Sequence, residues 1–384
     1  MTQKLMRIES VVHTNHSVAL EERIRKEART LTQAGHAVHI LALELENKSG
    51  HGVTQEGIPY QTIRLWTREL FARRRFLWVK ALEMQLRFML VLRRREWEVL
   101  WVNDHTILGV LVYGWFCKLF SGNKRLIWDQ HELGPERILR WRLYHWLLGA
   151  CDAVIHANEE RAAHLKARVP ASLHSRFLIV ENYPDRAFAE LPPGKQPEKF
   201  RRWLNGAPYC LFQGGAYSHR KIFESIEAIY RLPAMKLLVL GPCDDEMRSA
   251  IAARWPAYQE RVYITGWTPP GEFVHYMDGA QASLVFYENI DQNHWLCAPN
   301  RFYHAILRAI PVVCGSNPPM RRIAQTSQLG VICSRNGEDS GEIADAIERI
   351  EASHEVFRDN ARRVRDQYVW QSQDRTLRQL LREK

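Results

Sequence analysis

The strongest constraint on this chain is a rhythm. Short apolar runs that end in polar residues alternate with amphipathic stretches, and the whole alternation occurs twice. In the first half, "MRIESVVHT" reads as a strand, "LEERIRKEARTLTQAGH" as an amphipathic helix closed by Gly35, and "AVHILALEL" as a second strand. "WEVLWVND", "RLIWDQHE" and "DAVIHANE" follow as further apolar runs with polar tails. Strands alternating with helices predict a parallel, doubly wound α/β sheet. Ligands of such sheets bind outside the carboxyl ends of the strands. The polar tails Asn103-Asp104-His105, His131-Glu132 and Asn158-Glu159 all fall there.

The stretch from Tyr183 to Tyr209 interrupts the rhythm. It is proline-rich, mixed in charge and without a sustained period, which predicts a linker. The alternation then restarts. "YCLFQGG", "MKLLVLGP", "RVYITGW", "ASLVFYE", "IPVVCGS" and "GVICS" predict further strands with helices between them. The predicted organisation is a Rossmann-like domain over 1–185, a linker over 186–206, and a second Rossmann-like domain over 207–365. A charged helical segment over 366–384 is expected to pack back toward the first domain. Two such domains facing each other make a cleft.

A chain of 384 residues is long enough for two cores of ordinary size. Its 46% apolar and 25% charged residues fit a soluble globular protein. The cysteines at 117, 151, 210, 243, 297, 314 and 333 are odd in number and show no C-x-x-C spacing. That argues against a disulfide framework or a structural zinc site and points to a reducing compartment. The N-terminal segment lacks the apolar core of a signal peptide. The longest apolar run, Ile107 to Cys117, is too short to span a bilayer. These features read as a cytoplasmic protein.

The formal charge of +10 points to an anionic partner: nucleic acid, an anionic membrane surface or a phosphorylated substrate. A merely basic surface is the alternative. The charge is concentrated between Arg68 and Glu96, where nine Lys/Arg stand against three Glu and are interleaved with Phe and Trp. Glu136 to Leu148 is similar. Basic amphipathic segments with aromatics suit an anionic membrane face, and no nucleic-acid-binding motif accompanies them. The opposing reading is that Phe88, Leu92 and Trp97 pack on the sheet while the arginines are solvated.

Two places in the second half look built for an anion. In "LFQGGAYSHRKIFESIEAI" a strand runs into Gly214-Gly215, and a helix begins near Lys221. Glycines at a strand-to-helix turn let backbone N–H groups approach an anion at the helix terminus. Arg220 and Lys221 stand at the entrance, where an arginine can bind a diphosphate through two hydrogen bonds. The pattern is not a Walker A loop, and a glycine turn with a surface arginine is the alternative. In "APNRFYHAILRAIPVV", Asn300 reads as a helix N-cap, with Arg301 in the first turn. A cation there is disfavoured by the helix dipole unless an anion is also present. A solvated arginine is the alternative.

Taken in order, these segments resemble the retaining glycosyltransferases of the large family 4 type, with the two-domain GT-B fold. "EERIRKEARTLTQAGHAVHILAL", "WVNDHTILG", "LIWDQHELGPE", "CDAVIHANEERAAHL" and "VENYPD" are similar to that family's N-domain landmarks. "LFQGGAYSHRKIFESIEAI", "LLVLGP", "VYITGWTPPGEFVHYM" and "APNRFYHAILRAIPVV" are similar to its donor-binding domain. The resemblance covers nearly the whole chain. It implies that Gly214 and Gly215 abut a donor diphosphate, that Arg220 clamps it with Lys221 nearby, and that Asn300 and Arg301 hold it from the other side. It places backbone around Gly266 and Trp267 at the nucleobase and makes His131 the catalytic residue over the donor sugar. His16, Arg23, Asp104 and His105 become acceptor-side candidates.

The resemblance also has departures. Such enzymes usually carry a Glu, gripping the ribose hydroxyls, where this chain has His304. Many have another Glu where it has Leu296, and the glycine-rich N-terminal loop is absent from "HTNHSVALEE". The implied activity is transfer of a sugar, with retention, from a nucleotide-sugar donor to a lipid-linked or polysaccharide acceptor in cell-surface glycan synthesis. The expected place is the inner face of the cell membrane, peripherally bound. No cofactor, metal or nucleic acid is expected. The rival is a catalytically degenerate GT-B protein that binds a glycan or nucleotide, or scaffolds an assembly.

Overall fold

The computed structural model describes residues 5–72 and 74–381. Arg73 of the basic stretch and the extreme ends of the predicted domain ranges, 1–4 and 382–384, lie outside the described residues. The chain divides into two compact units. One is Met1–Glu181 together with Gln373–Lys384, and the other is Asn182–Ser372.

Among its described residues the first unit is built on eight strands: β1 (Arg7–His13), β2 (Ala37–Leu43), β3 (Gly50–Val53), β4 (Pro59–Thr62), β5 (Val99–Asn103), β6 (Arg125–Gln130), β7 (Ala153–His156) and β8 (Phe177–Ile179). Their order is β3-β4-β2-β1-β5-β6-β7-β8. Every neighbouring pair is parallel except β3 with β4. Helices cover both faces, so β5 is buried along its whole length and β6 all but its first residue. The strand order reverses between β1 and β5. That switch point opens a crevice at their carboxyl ends, beside His13 and Asn103. The four-residue strands β3 and β4 carry too few apolar residues to announce themselves in the sequence, and β8, though apolar, is only three residues long.

The helix Asp374–Leu380 belongs to this unit. Leu377 and Leu381 are buried, and Thr30 donates its hydroxyl to Asp374 Oδ1 at 3.0 Å. Arg125 donates to the carbonyl of Leu380 at 2.6 Å.

The second unit holds six parallel strands: β9 (Tyr209–Gln213), β10 (Lys236–Leu240), β11 (Val262–Ile264), β12 (Ala282–Val285), β13 (Val312–Cys314) and β14 (Gly330–Ile332). Their order is β11-β10-β9-β12-β13-β14, with the reversal between β9 and β12. Alternate residues feed two cores. Cys210, Phe212, Leu237 and Val239 face one layer; Leu211, Leu238, Leu240 and Val285 face the other. Residues 186–206, read from sequence as a linker, are part of this unit and carry the helices Arg186–Glu190 and Glu198–Leu204. Phe200 and Leu204, one turn apart, are buried and hold the second of these down. The prolines only bracket it.

The helix Leu77–Arg93 of the first unit has two apolar faces. Met84, Phe88 and Leu92 recur every four residues and are buried. Trp78, Leu82, Leu86 and Leu90 recur with the same spacing on another face, and they are 71, 53, 50 and 57% exposed. Arg74 and Arg75 precede the helix and Arg93 and Arg94 end it, all exposed. Residues four apart share a face, so the exposed set forms an apolar stripe bracketed by cations. No helix among the described residues is long and apolar enough to cross a membrane.

Candidate functional site

In the second unit the candidate residues gather at the carboxyl ends of the strands. β9 ends at Gln213 and turns at Gly214, whose φ of 109° is foreign to other residue types. A side chain at Gly214 would collide with the Arg220 guanidinium, and one at Gly241, at the end of β10, would collide with the Gly214 carbonyl. Both glycines are required by close approach. Arg220 therefore lies directly on the turn, 5.3 Å from the centroid of the Tyr217 ring and 5.7 Å from that of Tyr287. Its Nε is buried without a hydrogen-bond partner among the described residues. No carboxylate among them pairs with it.

Lys221 adopts a left-handed conformation, φ 62° and ψ 42°, and caps the helix Ile222–Arg231. Its side chain is buried, with Nζ 3.8 Å from Glu288 and 3.9 Å from Glu338. Lys221 thus faces carboxylates where Arg220 faces none.

Arg301 is buried against the same turn. It donates to the carbonyl of Gln213 at 3.1 Å and to that of Phe286 at 2.6 Å. Burial, with the charge of Arg220 adding to it, pulls Arg301 down to about 10. Two guanidinium groups that repel one another thus meet beside β9. Asn300 is the first residue of the helix Asn300–Leu307, and Pro299, not Asn300, stands at its cap. The Asn300 side chain turns aside to accept from Asn182 Nδ2 at 3.1 Å. The imidazole of His304 meets Gln213 Nε2 through Nδ1 at 2.9 Å and packs on Phe188, with ring centroids 4.4 Å apart. Beyond β11, Gly266 turns with φ 79°. Hydrogen bonds from Thr265 and Thr268 to its carbonyl hold the turn, and Trp267 projects 74% exposed.

In the first unit, His131 follows β6. Asp129, fully buried, accepts from Arg23 Nε at 2.8 Å and Nη2 at 3.0 Å. Arg23 also donates to the carbonyl of Val180 at 2.8 Å, and its Nε lies 3.1 Å from Glu27 Oε1. With 4% exposure Arg23 is the buried partner of Asp129. His131 Nδ1 lies 3.5 Å from Asp129 Oδ2. Burial opposes a charged ring, but the Asp129 carboxylate outweighs it and raises His131 above the ordinary histidine value. Glu27 is pushed well above the carboxylate range, by burial and then by Asp129, so this cluster holds one ionised carboxylate rather than two.

Asp104 sits at φ 78° next to His105, accepts from its backbone N–H and lies 2.5 Å from its ring Nδ1. Against the upward pull of burial, His105 and His131 hold Asp104 below its usual value. His16 is exposed on the loop after β1. Sequence reasoning missed Asp129, Gln213, Gly241 and Phe188. The first two are polar ends of buried strands, a signal the sequence does carry. Among the described residues no group of three or more His, Cys, Asp or Glu is arranged to hold a metal ion.

No protein-family model matches this chain, and no curated protein does. Solved structures do. Sucrose-phosphate synthase from Thermosynechococcus elongatus matches with a TM-score of 0.74 at 17% identity, over 98% of each chain. A glycosyltransferase from Rickettsia africae matches with a TM-score of 0.73 at 12% identity, over 99% of this chain and 100% of that one. HepE of Anabaena, solved in complex with UDP and glucose, matches with a TM-score of 0.68 at 14% identity, over 98% of this chain and 99% of that one. The likeness is one of fold: two parallel-sheet domains of the GT-B type.

Proposed function

We propose that this chain is a glycosyltransferase that moves a sugar from a nucleotide-sugar donor, of the UDP-sugar class that HepE binds, to a lipid-linked or polysaccharide acceptor. The observation that carries the reading is Arg220. It is a guanidinium laid on a Gly-Gly turn at the carboxyl end of β9, with no carboxylate partner and a second arginine beside it. Such a site is incomplete without an anion. A diphosphate supplies two negative groups to Arg220, the backbone N–H groups of the turn and the N-terminus of the Ile222–Arg231 helix.

The chemistry follows from that placement. Charge develops on the leaving diphosphate as the glycosidic bond breaks, and preorganised cations and backbone donors stabilise it most in the transition state. That lets the reaction proceed without a metal. The sugar passes through an oxocarbenium-like state, and the acceptor hydroxyl attacks from the face the diphosphate leaves, giving retention. The leaving phosphate oxygen takes the hydroxyl proton. His131, whose charged form the nearby Asp129 carboxylate favours, is the catalytic residue of the first unit. The basic surface and the exposed apolar stripe of the Leu77–Arg93 helix support a peripheral site on the anionic cytoplasmic face of a membrane, in cell-surface glycan synthesis.

A second reading has one observation in its favour. His304 is packed on Phe188 and tied to Gln213, as a purely structural residue would be. A GT-B protein that binds a nucleotide or glycan without transfer would look the same there. The test is to measure melting with each nucleoside diphosphate, then release of sugar from the donor that stabilises most. Stabilisation with turnover supports the transferase; stabilisation without turnover on any acceptor supports the nucleotide-binding protein; no stabilisation overturns the transferase and leaves only a protein that binds a glycan.

A further inference from the structure

The first unit contains a cavity of about 1160 Å³. That exceeds the roughly 300–1,000 Å³ of sites that hold drug-sized ligands. One wall is apolar: Leu77, Ala81 and Met84 from the Leu77–Arg93 helix, with Leu108, Ile138 and Trp141 opposite. Leu77 and Trp141 are also 62 and 43% exposed, so the lining continues into the exterior. Leu77 adjoins Trp78, the first residue of the exposed apolar stripe.

The other end is polar and lies at the carboxyl end of β1. Arg68 donates through Nη1 to the carbonyl of Glu44 at 2.7 Å, and its Nη2 meets His13 Nε2 at 3.0 Å. His13 Nδ1 meets Thr106 Oγ1 at 3.2 Å. Burial, reinforced by Arg68, lowers His13, which keeps the ring neutral and able to accept from the guanidinium. Glu46 and Glu69 also line the cavity, but Lys48 and Arg64 pair with them. No carboxylate among the described residues pairs with Arg68. Gln85 donates to the carbonyl of Thr106 at 2.9 Å, which fixes the polar end at the level of Gln85. Leu77 lies eight residues back along the helix, roughly 12 Å at 1.5 Å per residue. The cavity is therefore a slot with a cation at the carboxyl end of β1 and an apolar wall running outward to the exposed stripe.

We propose that this slot seats one apolar chain with its anionic head group at Arg68, the lipid part of the acceptor. The proposal rests on the lipid-linked option of the transferase reading and commits to it. The chain enters from the stripe side, and the head is held where the crevice of the first sheet opens. The acceptor's reacting hydroxyl is then presented at the β1–β5 switch point, beside Asp104 and His105.

The test is calorimetry on the full chain with hexyl, octyl and decyl phosphate, inorganic phosphate, decyltrimethylammonium and UDP. Affinity is expected to rise about threefold to fourfold per added methylene. Decyl phosphate should bind at least tenfold tighter than decyltrimethylammonium, and Arg68→Gln should erase that preference. Ala81→Trp, which fills the slot from a position that is exposed on the helix, should weaken decyl phosphate at least tenfold and leave UDP binding unchanged. The paired variant Leu82→Glu/Leu86→Glu should bind decyl phosphate as the parent does. Inorganic phosphate binding as tightly as decyl phosphate would overturn the proposal. So would an unaffected Ala81→Trp, or a loss confined to the stripe variant, which would mean adsorption to the outer surface. Chain-length-dependent binding without any UDP binding would uphold the slot while removing the transferase reading.

Discussion

Gln213 donates its side-chain Nε2–H to His304 Nδ1 at 2.9 Å, linking the last residue of β9 to the second turn of the Asn300–Leu307 helix. An amide nitrogen can only donate, so Nδ1 is the accepting nitrogen and the ring proton resides on Nε2. His304 is then a hydrogen-bond donor where a carboxylate would be an acceptor. A ribose hydroxyl suits either, since it both donates and accepts. His304→Ala should weaken a ribonucleoside diphosphate more than its 2′-deoxy analogue, by about 0.5–1.5 kcal/mol of difference. Calorimetry with the two nucleotides measures it. Equal losses would leave His304 as a packed residue between Phe188 and Gln213.

The charge of Arg220 works against that of Arg301, and only Arg301 is spent on backbone carbonyls. Arg220→Ala should therefore cost roughly 1.5–3 kcal/mol of nucleoside diphosphate affinity and nothing in thermal stability. The free nucleoside should bind the variant as it binds the parent. A variant with unchanged diphosphate affinity would remove Arg220 from the site. Arg301→Ala should behave oppositely and lower the melting temperature, because it strands the carbonyls of Gln213 and Phe286.

The glycine turn and the arginine that lies on it could be read from the sequence because they are a few residues apart, on a strand and a helix each marked by its own period. Longer-range partners could not. Asp129 stood in view as part of an apolar run on β6, but its meaning comes from Arg23, which reaches it from the helix Glu22–Gln33. His304 likewise acquires its role from Gln213 and Phe188. The Leu77–Arg93 helix shows a different limit. With apolar residues on two faces, its periodicity fits either orientation, and only the packing decides that Phe88 and Leu92 go inward while Leu82, Leu86 and Leu90 stay out. The 186–206 stretch was masked by its prolines, which lie outside its helices and say nothing about Phe200.

The Asp129–His131 pair gives stability a definite pH dependence. His131 is raised in the folded chain, so the charged ring contributes stability that is complete below about pH 6.5, the unfolded value, and is lost as pH rises through the folded value. Asp129 is depressed, so its contribution is present above about pH 3.9 and lost as pH falls. His131→Gln should abolish the alkaline loss and leave the acid one. Asp129→Asn should destabilise the fold by less than the roughly 3–5 kcal/mol of a stranded buried charge, because Glu27, 3.1 Å from Arg23 Nε and held up partly by Asp129, can ionise in its place. Denaturation in urea across pH 5 to 9 tests the first variant against the parent. Identical pH profiles would mean that the 3.5 Å contact carries no coupling.

The last prediction concerns the exposed stripe. Trp78, Leu82, Leu86 and Leu90 present apolar surface along three turns, and exposed arginines stand at both ends of the helix. A helix lying in a membrane interface needs that arrangement, with leucines among the acyl chains and cations at the phosphates. The two contributions respond to different variables. Burying a leucine is worth about 1.5–3 kcal/mol and is insensitive to salt. A surface arginine is worth about 1 kcal/mol against anionic lipid and is screened by salt. Leu82→Glu/Leu86→Glu should therefore reduce sedimentation with both neutral and anionic vesicles, at low and high salt alike. Arg93→Gln/Arg94→Gln should reduce it only with anionic vesicles and only at low salt. Both pairs are exposed, so neither should change the melting temperature by more than a degree or two. Weak sedimentation that is the same for neutral and anionic vesicles, and untouched by either pair, would assign the stripe to another partner and withdraw the membrane from the proposed function.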